Sequence, residues 1–271
     1  MPGLSGFLLI NPRSGDDSPS ADDLRAAAAE RGIETRILEE DDDAAELARS
    51  ADADALGMAG GDGSLAPIAE VAIERDLPFV AVPFGTRNHF ARDLGFDRDD
   101  PLAALDAFGP EGSERRIDVG RVAGRAFLNN VSLGVYASLV HEREGHRRRR
   151  NAFARLRALL LTARNREPLG LTIDGEQVEA QVALVSNNDY KLEVFSLGER
   201  ERLDEGRLHL YLATGWRFSE WEARAATSLT IDAARHRIKA AVDGEPFAFE
   251  TPLEFSIDPL ALRVLVPPAP G

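Results

Sequence analysis

Residues 55–64 have the sequence ALGMAGGDGS, in which an apolar run passes directly into a glycine-rich turn. The run at 55–59 is short and apolar, which predicts a buried strand. The residues after the turn predict a helix that continues to about Arg75. Because strand, loop and helix in this order form the repeating unit of parallel α/β sheets, this stretch predicts the fold class of the N-terminal part of the chain.

Two similar units flank this stretch. Residues 6–10 predict a first strand, which is followed by a loop at 11–15 and by a helix that Ser20 caps. Residues 78–82 predict another strand, which leads into a loop at 83–88 and a further helix. A strand at 34–38 and a helix at 43–50 complete the pattern. We therefore predict a parallel α/β domain over residues 1–115.

The pattern changes near Arg115, where alternating or apolar runs bounded by turn residues begin. These runs lie at 117–122, 125–133, 169–173, 177–185, 208–213, 227–234 and 236–242. They are typical of an antiparallel sheet or sandwich, and a helical pattern at 135–166 interrupts them. We therefore predict a two-lobed α/β protein whose second lobe, over residues 116–271, is mostly an antiparallel β-sandwich. A ligand cleft between the lobes is expected.

The composition argues against several classes of protein. The formal net charge is −14, and nucleic-acid binding requires clustered positive charge instead. The chain has no cysteine, which excludes disulfides, thiolate zinc sites and a cysteine nucleophile. No apolar stretch is long enough to span a bilayer, and the first residues lack the basic start of a signal peptide. We expect a cytoplasmic protein.

Three loops follow predicted strands at their carboxyl ends, where open α/β sheets bind ligands. Their candidate binding residues are Asn11, Pro12, Ser14 and Gly15 in the first loop, Gly60, Gly61, Asp62, Gly63 and Ser64 in the second, and Gly85, Thr86 and Asn88 in the third. Glycines let backbone N–H groups approach phosphate oxygens, the helix starts favour anions, and the hydroxyls add donors. Asp62 would repel a phosphate by itself, so we interpret it as a residue that holds Mg²⁺ or its water ligands.

Each loop alone is also compatible with an ordinary turn. The GxxxxGK[ST] phosphate-binding loop is absent, and so is the GxGxxG dinucleotide fingerprint. Backbone amides and hydroxyls would therefore have to hold the phosphates.

The order and spacing of these motifs resemble the catalytic domain of the diacylglycerol kinase and sphingosine kinase superfamily. The motifs are NPRSG at 11–15, GGDGSL at 60–65, PFGTRNHFARDLG at 83–95, IDVGRV at 117–122, FLNNVSLGVYASLV at 127–140, LDEGRLHLYL at 203–212, VDGEPF at 242–247 and PLEFSIDPLALRVLVP at 252–267. They span nearly the whole chain, and soluble prokaryotic lipid kinases are the most similar kind.

This resemblance implies a two-lobed, ATP- and Mg²⁺-dependent kinase with a lipid alcohol as substrate, in which the domain at 1–115 binds nucleotide and the β-rich domain at 116–271 binds the lipid acceptor. Glu245 would be the general base and Asp243 its partner. Asp62 would organise Mg²⁺ together with Asp118. A second, structural Mg²⁺ would lie at Glu205 and at the backbone around Arg202 and Arg207.

Four positions depart from the family pattern. His89 stands where the family often has aspartate, and Leu38 where it often has a threonine that contacts nucleotide. Ser64 replaces threonine and keeps the hydroxyl, and Glu205 replaces aspartate and keeps the charge. The retained acids Asp62, Asp118 and Glu245 still favour a kinase.

A second DGE triplet, Asp174-Gly175-Glu176, joins two predicted strands, and we interpret it as a hairpin turn. The same interpretation applies to Asp243-Gly244-Glu245 when the resemblance is set aside. The cluster from Arg147 to Arg150 is either a solvated helical face or a peripheral membrane-docking surface. The functional alternatives are an NAD kinase-type enzyme, a non-catalytic nucleotide- or lipid-binding homologue and a simple hydrolase. No ribose-binding Asn-Glu pair follows the GGDG loop, which argues against the first. A homodimer stays open as well.

Overall fold

The computed structural model describes residues 5–15, 19–85, 88–134, 169–193, 196–197, 199–213 and 221–267. Thr86, the predicted helical insertion at 135–166 and its cluster from Arg147 to Arg150 lie outside these described residues. Contacts divide the chain into two compact units, Met1–Ile117 with Leu260–Gly271, and Asp118–Pro259.

The first unit contains a parallel sheet flanked by helices. Its strands are β1 (Gly6–Ile10), β2 (Glu34–Ile37), β3 (Ala55–Gly60) and β4 (Phe79–Pro83), in the order β2-β1-β3-β4. All four pair in parallel. Strands β1, β3 and β4 are buried along their whole length, which explains why their sequences are apolar runs without alternation.

The helices of the first unit follow the predicted order. They are α1 (Ala21–Glu30), α2 (Ala44–Ser50), α3 (Asp62–Glu74) and α4 (His89–Asp93), and a 3₁₀ helix spans Ala103–Phe108. Ser20 caps α1 in a capping box, and Asp43 caps α2 by accepting two backbone N–H groups. Side-chain caps satisfy amides that a helix start otherwise leaves unpaired, so both helices begin where the sequence indicates.

The second unit is a two-sheet sandwich. Its six-stranded antiparallel sheet has the order β14-β13-β10-β7-β16-β17. The strands are β7 (Asn130–Gly134), β10 (Val182–Asn187), β13 (Leu208–Ala213), β14 (Trp221–Ala226), β16 (Arg237–Val242) and β17 (Glu245–Glu250). The facing strands are β8 (Leu169–Ile173), β9 (Glu176–Ala180) and β15 (Ser228–Ala233), together with the parts of β5 (Ser113–Val122) and β18 (Leu253–Val266) that belong to this unit, and β6 (Arg125–Phe127) pairs with β5. Two short strands, β11 (Leu192–Glu193) and β12 (Ser196–Leu197), pair with each other.

Apolar side chains from both sheets form one core in this unit. It includes Val131, Val185 and Leu210 from the six-stranded sheet, and Ile231 and Phe255 from the facing strands. The predicted fold class, an α/β lobe followed by an antiparallel β-sandwich lobe, is thus confirmed.

Details differ from the sequence-based expectation. The run at 125–133 forms two strands rather than one, because the Asp243 carboxylate binds the amides at the break between β6 and β7. The run at 177–185 also divides, because β9 and β10 belong to different sheets. Residues from Leu260 onward group with the first unit rather than with the second, since Val264 pairs in parallel with Phe79 of β4. In the part of the chain that the structure describes, no helix is long and apolar enough to cross a membrane.

Candidate functional site

The three glycine-containing loops of the first unit leave the carboxyl ends of β1, β3 and β4. These strands are neighbours in the sheet with β3 in the middle, so their carboxyl ends lie along one edge. Asn11 N–H donates to the Ala59 carbonyl at 2.9 Å, which fixes the start of the first loop beside the end of β3. Gly15 lies against the ring of Phe84, so the first and third loops also meet.

The second and third loops approach each other more closely than side chains allow. A Cβ atom on Gly85 would lie 2.8 Å from Gly61 Cα and 3.0 Å from Gly61 N. A Cβ on Gly61, in contrast, would face open space, with no atom within 4 Å. Gly85 is therefore required for the packing of the loops, whereas the hydrogen of Gly61 leaves room that the described residues do not fill.

Asp62, the first residue of α3, connects the second loop to the start of α4. Its two carboxylate oxygens accept hydrogen bonds from His89 N at 3.1 Å and Phe90 N at 3.0 Å. These amides belong to the first turn of α4, where no carbonyl of the helix can pair with them. A carboxylate at a helix start also interacts favourably with the helix dipole. Asp62 thus holds the third loop in place, and its predicted role towards Mg²⁺ stays a prediction.

Asn88 carries an acceptor that has no donor among the described residues. It is buried, its backbone is left-handed with φ of 47°, and its Nδ2 donates to the Gly85 carbonyl at 2.7 Å. Its Oδ1 is also buried, and no donor among the described residues reaches it. Because a buried acceptor without a donor costs about 1–3 kcal/mol, the site is suited to a ligand that brings an N–H or O–H group.

The hydroxyl of Ser64 serves the protein in this structure. It donates to the Gly61 carbonyl at 2.7 Å, within the first turn of α3. The hydroxyl therefore closes this turn, and its predicted role as a phosphate donor stays a prediction. Gly61 has an open side and Asn88 has an oxygen without a donor among the described residues, and their predicted role in nucleotide binding stays a prediction.

In the second unit, the carboxylate of Asp243 binds a turn, and its predicted role as the partner of Glu245 stays a prediction. Its carboxylate accepts hydrogen bonds from the amides of Leu128 at 2.8 Å, Asn129 at 2.8 Å and Asn130 at 3.1 Å. Its own N–H donates to the Asn130 carbonyl at 2.9 Å. Asp243 and Gly244 have φ values of 48° and 88°, which makes them a tight hairpin turn between β16 and β17.

Glu245 follows this turn as the first residue of β17. Its side chain is exposed, and no described residue donates a hydrogen bond to it. The other DGE triplet gives a clear contrast. Asp174-Gly175-Glu176 is the hairpin between β8 and β9, as predicted, with φ values of 48° and 89° at its first two residues.

Glu176, unlike Glu245, receives hydrogen bonds from a protein side chain. Arg224 donates to both of its carboxylate oxygens, at 2.7 and 3.3 Å. This guanidinium holds the pKa of Glu176 below its ordinary value, chiefly through the hydrogen bonds. Two turns of the same backbone shape therefore carry glutamates with different surroundings. Of the two, Glu176 is bound by Arg224, whereas the carboxylate of Glu245 has no donor among the described residues.

Asp118 lies in β5 and is fully buried. Its carboxylate accepts the N–H of Gly206 at 2.6 Å, and its own N–H donates to the Leu203 carbonyl at 2.7 Å. Asp118 therefore binds the segment 203–206, the one in which the sequence suggests a second metal site. Its role as a ligand of Mg²⁺ stays a prediction.

Glu205 is engaged by protein donors. Its Oε2 accepts from Asp189 N at 3.2 Å and lies 3.1 Å from His209 Nε2, while His209 Nδ1 lies 3.4 Å from Asp189 Oδ1. The imidazole thus separates the two carboxylates. Within the described ranges, no three His, Asp or Glu side chains converge on a point that could hold a metal ion. The predicted second Mg²⁺ at Glu205 stays a prediction.

Tyr211 completes this polar group. Its hydroxyl donates to Asp189 Oδ1 at 2.5 Å and accepts from Tyr190 N at 2.9 Å. Burial, together with the hydrogen bond to Asp189, raises the pKa of Tyr211 well above its usual range. The phenol is therefore a neutral donor that fixes Asp189.

Sequence reasoning missed the residues that hold the 128–130 turn from its other side. Arg200 and Asn187 both donate to the Leu128 carbonyl, at 2.7 and 3.2 Å. The polar pairs at 129–130 and 187–188, set at the ends of apolar runs, were a signal that could have indicated such a junction. No local pattern marks Arg200.

Comparison with known proteins agrees with this geometry. Residues 5–122 match the family model of the diacylglycerol kinase catalytic domain. A diacylglycerol kinase of Mycobacterium tuberculosis is 27% identical over 292 residues, covering 96% of this chain and 94% of that protein. A diacylglycerol kinase of Bacillus subtilis is 34% identical over 91 residues, covering 33% of this chain and 30% of that protein.

The fold has solved relatives as well. The crystal structure of a diacylglycerol kinase from Bacillus anthracis superposes with a TM-score of 0.71 at 18% identity, covering 99% of this chain and 98% of that one. The motif resemblance is thereby confirmed: residues 5–122 match the diacylglycerol kinase catalytic domain, and 96% of the chain aligns with a diacylglycerol kinase.

Proposed function

We propose that this chain is an ATP-dependent lipid kinase that transfers the γ-phosphoryl group to a hydroxyl of diacylglycerol or a related lipid alcohol. The observation that carries the proposal is the junction of the second and third loops. There Gly61 and Gly85 meet, Gly61 faces open space, and Asn88 Oδ1 lacks a described donor. A phosphate can approach the amides at the start of α3 without meeting a Cβ atom. The kinase family match supports ATP as the nucleotide.

Magnesium enters this proposal with the nucleotide. Mg²⁺ is commonly bound by one or two carboxylates together with phosphate oxygens and water, so Asp62 suits it without an all-protein cage. When bound, the ion would neutralise charge that develops on the phosphates. Asp62 would also keep Asn88 and the start of α4 in place through its two backbone contacts.

The proposed transfer exchanges one oxygen–phosphorus bond at the γ-phosphorus for another. The oxygen of the acceptor hydroxyl forms a bond to the γ-phosphorus while the bond from that phosphorus to the β–γ bridging oxygen breaks, and ADP leaves. The hydroxyl proton passes to the carboxylate of Glu245. Glu245 suits this role because it is exposed and receives no hydrogen bond from a described residue, while the turn before it is fixed by Asp243.

The test compares the two DGE glutamates. Wild type, Glu245→Gln and Glu176→Gln are incubated with γ-labelled ATP, Mg²⁺ and diacylglycerol in mixed micelles, and label in the lipid is measured. We expect Glu245→Gln to lose about 10²- to 10⁴-fold in rate, the usual contribution of a general base, while Glu176→Gln keeps the wild-type rate. Equal rates for wild type and Glu245→Gln contradict the role of Glu245.

Parallel incubations identify the acceptor class. Label in phosphatidic acid supports diacylglycerol, and label in another lipid of an extracted mixture retains the lipid kinase but changes the acceptor. Label in NADP⁺ after addition of NAD⁺, without any in lipid, overturns the lipid assignment in favour of an NAD kinase-type reaction. Absence of label in every acceptor points to a non-catalytic homologue.

Peripheral membrane contact through the cluster from Arg147 to Arg150 is a separate part of the proposal. In a chain with a formal net charge of −14, four consecutive arginines beside apolar residues offer a local attraction to anionic lipid. Replacing all four arginines with glutamate is expected to reduce co-sedimentation with vesicles that contain phosphatidylglycerol. Unchanged sedimentation would exclude this surface.

A further inference from the structure

Arg200 is a buried cation whose donors reach three acceptors among the described residues. Only 3% of its surface is exposed. Its Nη1 donates to the carbonyls of Leu128 at 2.7 Å and Asn187 at 3.0 Å, and its Nη2 donates to Asn129 Oδ1 at 2.7 Å. The guanidinium also lies 5.3 Å from the centre of the Tyr190 ring. Arginine is rarely buried to this extent unless its N–H donors are paired. The hydrogen bonds of Arg200 join separate segments of the chain, which indicates a structural role for its planar guanidinium.

Arg200 and Asp243 both bind the turn at 128–130. The Asp243 carboxylate accepts hydrogen bonds from the amides of the turn, and Arg200 donates to the Leu128 carbonyl and the Asn129 side chain. The backbone N–H of Asn187 also donates a hydrogen bond to the Asn129 carbonyl, at 3.0 Å. The turn is thus held between a carboxylate on one side and a guanidinium on the other.

The same turn supports the hairpin that ends at Glu245. Four hydrogen bonds connect Asp243 to residues 128–130, three from their amides to the carboxylate and one from Asp243 N to the Asn130 carbonyl. Glu245 is two residues further along the chain and pairs with Val242 of β16. A shift of the 128–130 turn therefore moves Asp243, and with it the start of β17.

We infer that Arg200 is a positioning residue for the proposed reaction, acting on Glu245 through the 128–130 turn and Asp243. This inference rests on the proposed function of Glu245 as the general base. A base must lie within hydrogen-bond reach of the proton it accepts, and a displacement of about 1 Å can reduce a rate on the order of 10²-fold. Lysine at position 200 would retain the charge but lose the planar fork that reaches Leu128, Asn187 and Asn129 together.

Arg224 provides a matched control in the same unit. It too donates to more than one acceptor, Glu176 and Glu222, but it lies at the surface and has no described contact with the 128–130 turn. Arg200→Lys and Arg224→Lys therefore make the same chemical change at a buried junction and at an exposed ion pair.

The experiment measures kcat, both KM values and folding for Arg200→Lys, Arg224→Lys, Glu245→Gln and the double variant Arg200→Lys/Glu245→Gln. At a temperature where circular dichroism shows all of them folded, Arg200→Lys is expected to lose on the order of tenfold or more in kcat with the KM for ATP within about twofold of wild type. Arg224→Lys is expected to keep its kcat. In the Glu245→Gln background Arg200→Lys is expected to cause no further loss, since it acts through Glu245.

A wild-type kcat for Arg200→Lys, or losses that multiply in the double variant, would overturn the inference. If Arg200→Lys does not fold, the same assay is applied to Asn129→Ala, which removes only the Oδ1 acceptor of the guanidinium. A smaller drop in kcat is expected for this variant.

Hydrogen exchange separates failure of the inference from failure of the proposed function. If the wild type transfers no phosphoryl group, the proposed function fails whatever Arg200 does. The positioning claim is then decided by amide exchange: Arg200→Lys should accelerate exchange at 128–130 and 242–247 but not at the control hairpin 173–177. Unchanged exchange at 242–247 overturns it.

Discussion

The replacement Asp243→Asn tests how the hairpin before Glu245 is held. Asparagine tolerates the left-handed backbone at this position, so the variant changes the hydrogen bonds without adding backbone strain. Its amide oxygen can still accept from Asn129 and Asn130, which both bind Oδ1 of the aspartate. Its NH₂ group then faces the N–H of Leu128, which loses its acceptor.

The expected loss in the free energy of unfolding follows from these three hydrogen bonds. A buried N–H without an acceptor costs about 1–3 kcal/mol. The two remaining bonds lose the charge of the acceptor, and since charge-assisted bonds are roughly twice as strong as neutral ones, each is expected to weaken by about 0.5–1 kcal/mol. Only 7% of Asp243 is exposed, so water can replace little of the lost hydrogen bonding. We expect the free energy of unfolding to fall by about 3 kcal/mol.

The assay is urea unfolding followed by far-UV circular dichroism at pH 7, with Asp174→Asn as the control. Asp174 has the same backbone angle in the same kind of turn, but it is exposed and accepts one described backbone hydrogen bond, from Thr230 N at 2.8 Å. Asparagine keeps that bond, so a loss of no more than about 0.5 kcal/mol is expected, as for most surface substitutions. If the two variants differ by less than about 1 kcal/mol, the carboxylate of Asp243 does not hold the turn as argued.

Three further predictions concern the first unit. Gly61→Ala should leave the melting temperature unchanged, because the added Cβ meets open space, yet should weaken ATP binding at least tenfold in calorimetry; unaltered affinity would exclude phosphate from this position. Glu114→Gln tests a two-bond ion pair, in which Arg263 donates to both carboxylate oxygens at 2.8 Å and holds the pKa of Glu114 below its ordinary value. A lowered folded-state pKa stabilises the protein above the unfolded-state pKa of about 4.3 and ceases to do so as the pH falls through the folded value. Since the Glu114 side chain is 41% exposed, solvent screening limits the effect to about 0.5–1 kcal/mol, so the variant should melt lower than wild type at pH 7 and at the same temperature at pH 3. A difference that persists at pH 3 points to packing instead. Ser20→Ala removes the side-chain cap of α1 and should cost about 1 kcal/mol in urea unfolding, whereas Ser20→Asp should restore most of it; equal losses in both variants would show that capping is not the cause.

Local sequence was sufficient for the parallel sheet and the position of its loops. The strands at 6–10, 55–60 and 79–83 are buried on both faces, so they carry continuous apolar runs, and glycine-rich turns mark where each one ends. The helix caps at Ser20 and Asp43 and the hairpin at Asp174 depend on neighbours within a few residues, and they could be predicted for that reason.

The character of individual site residues was decided by contacts between distant parts of the chain. Two identical DGE triplets differ because Arg224 reaches Glu176 from 48 residues away, while no described residue donates to Glu245. Asp243 binds amides more than 110 residues earlier, and Arg200 reaches the same turn from 72 residues away. Likewise, β18 continues into the first unit because Val264 pairs with Phe79. Periodicity and turn chemistry describe neighbours along the chain, whereas hydrogen bonds and ion pairs of this kind exist only after the sheets have formed. The sequence by itself therefore determined the fold class and the candidate site residues, and the tertiary structure decided which of them are bound by the protein and which have a carboxylate or carbonyl oxygen available for a ligand.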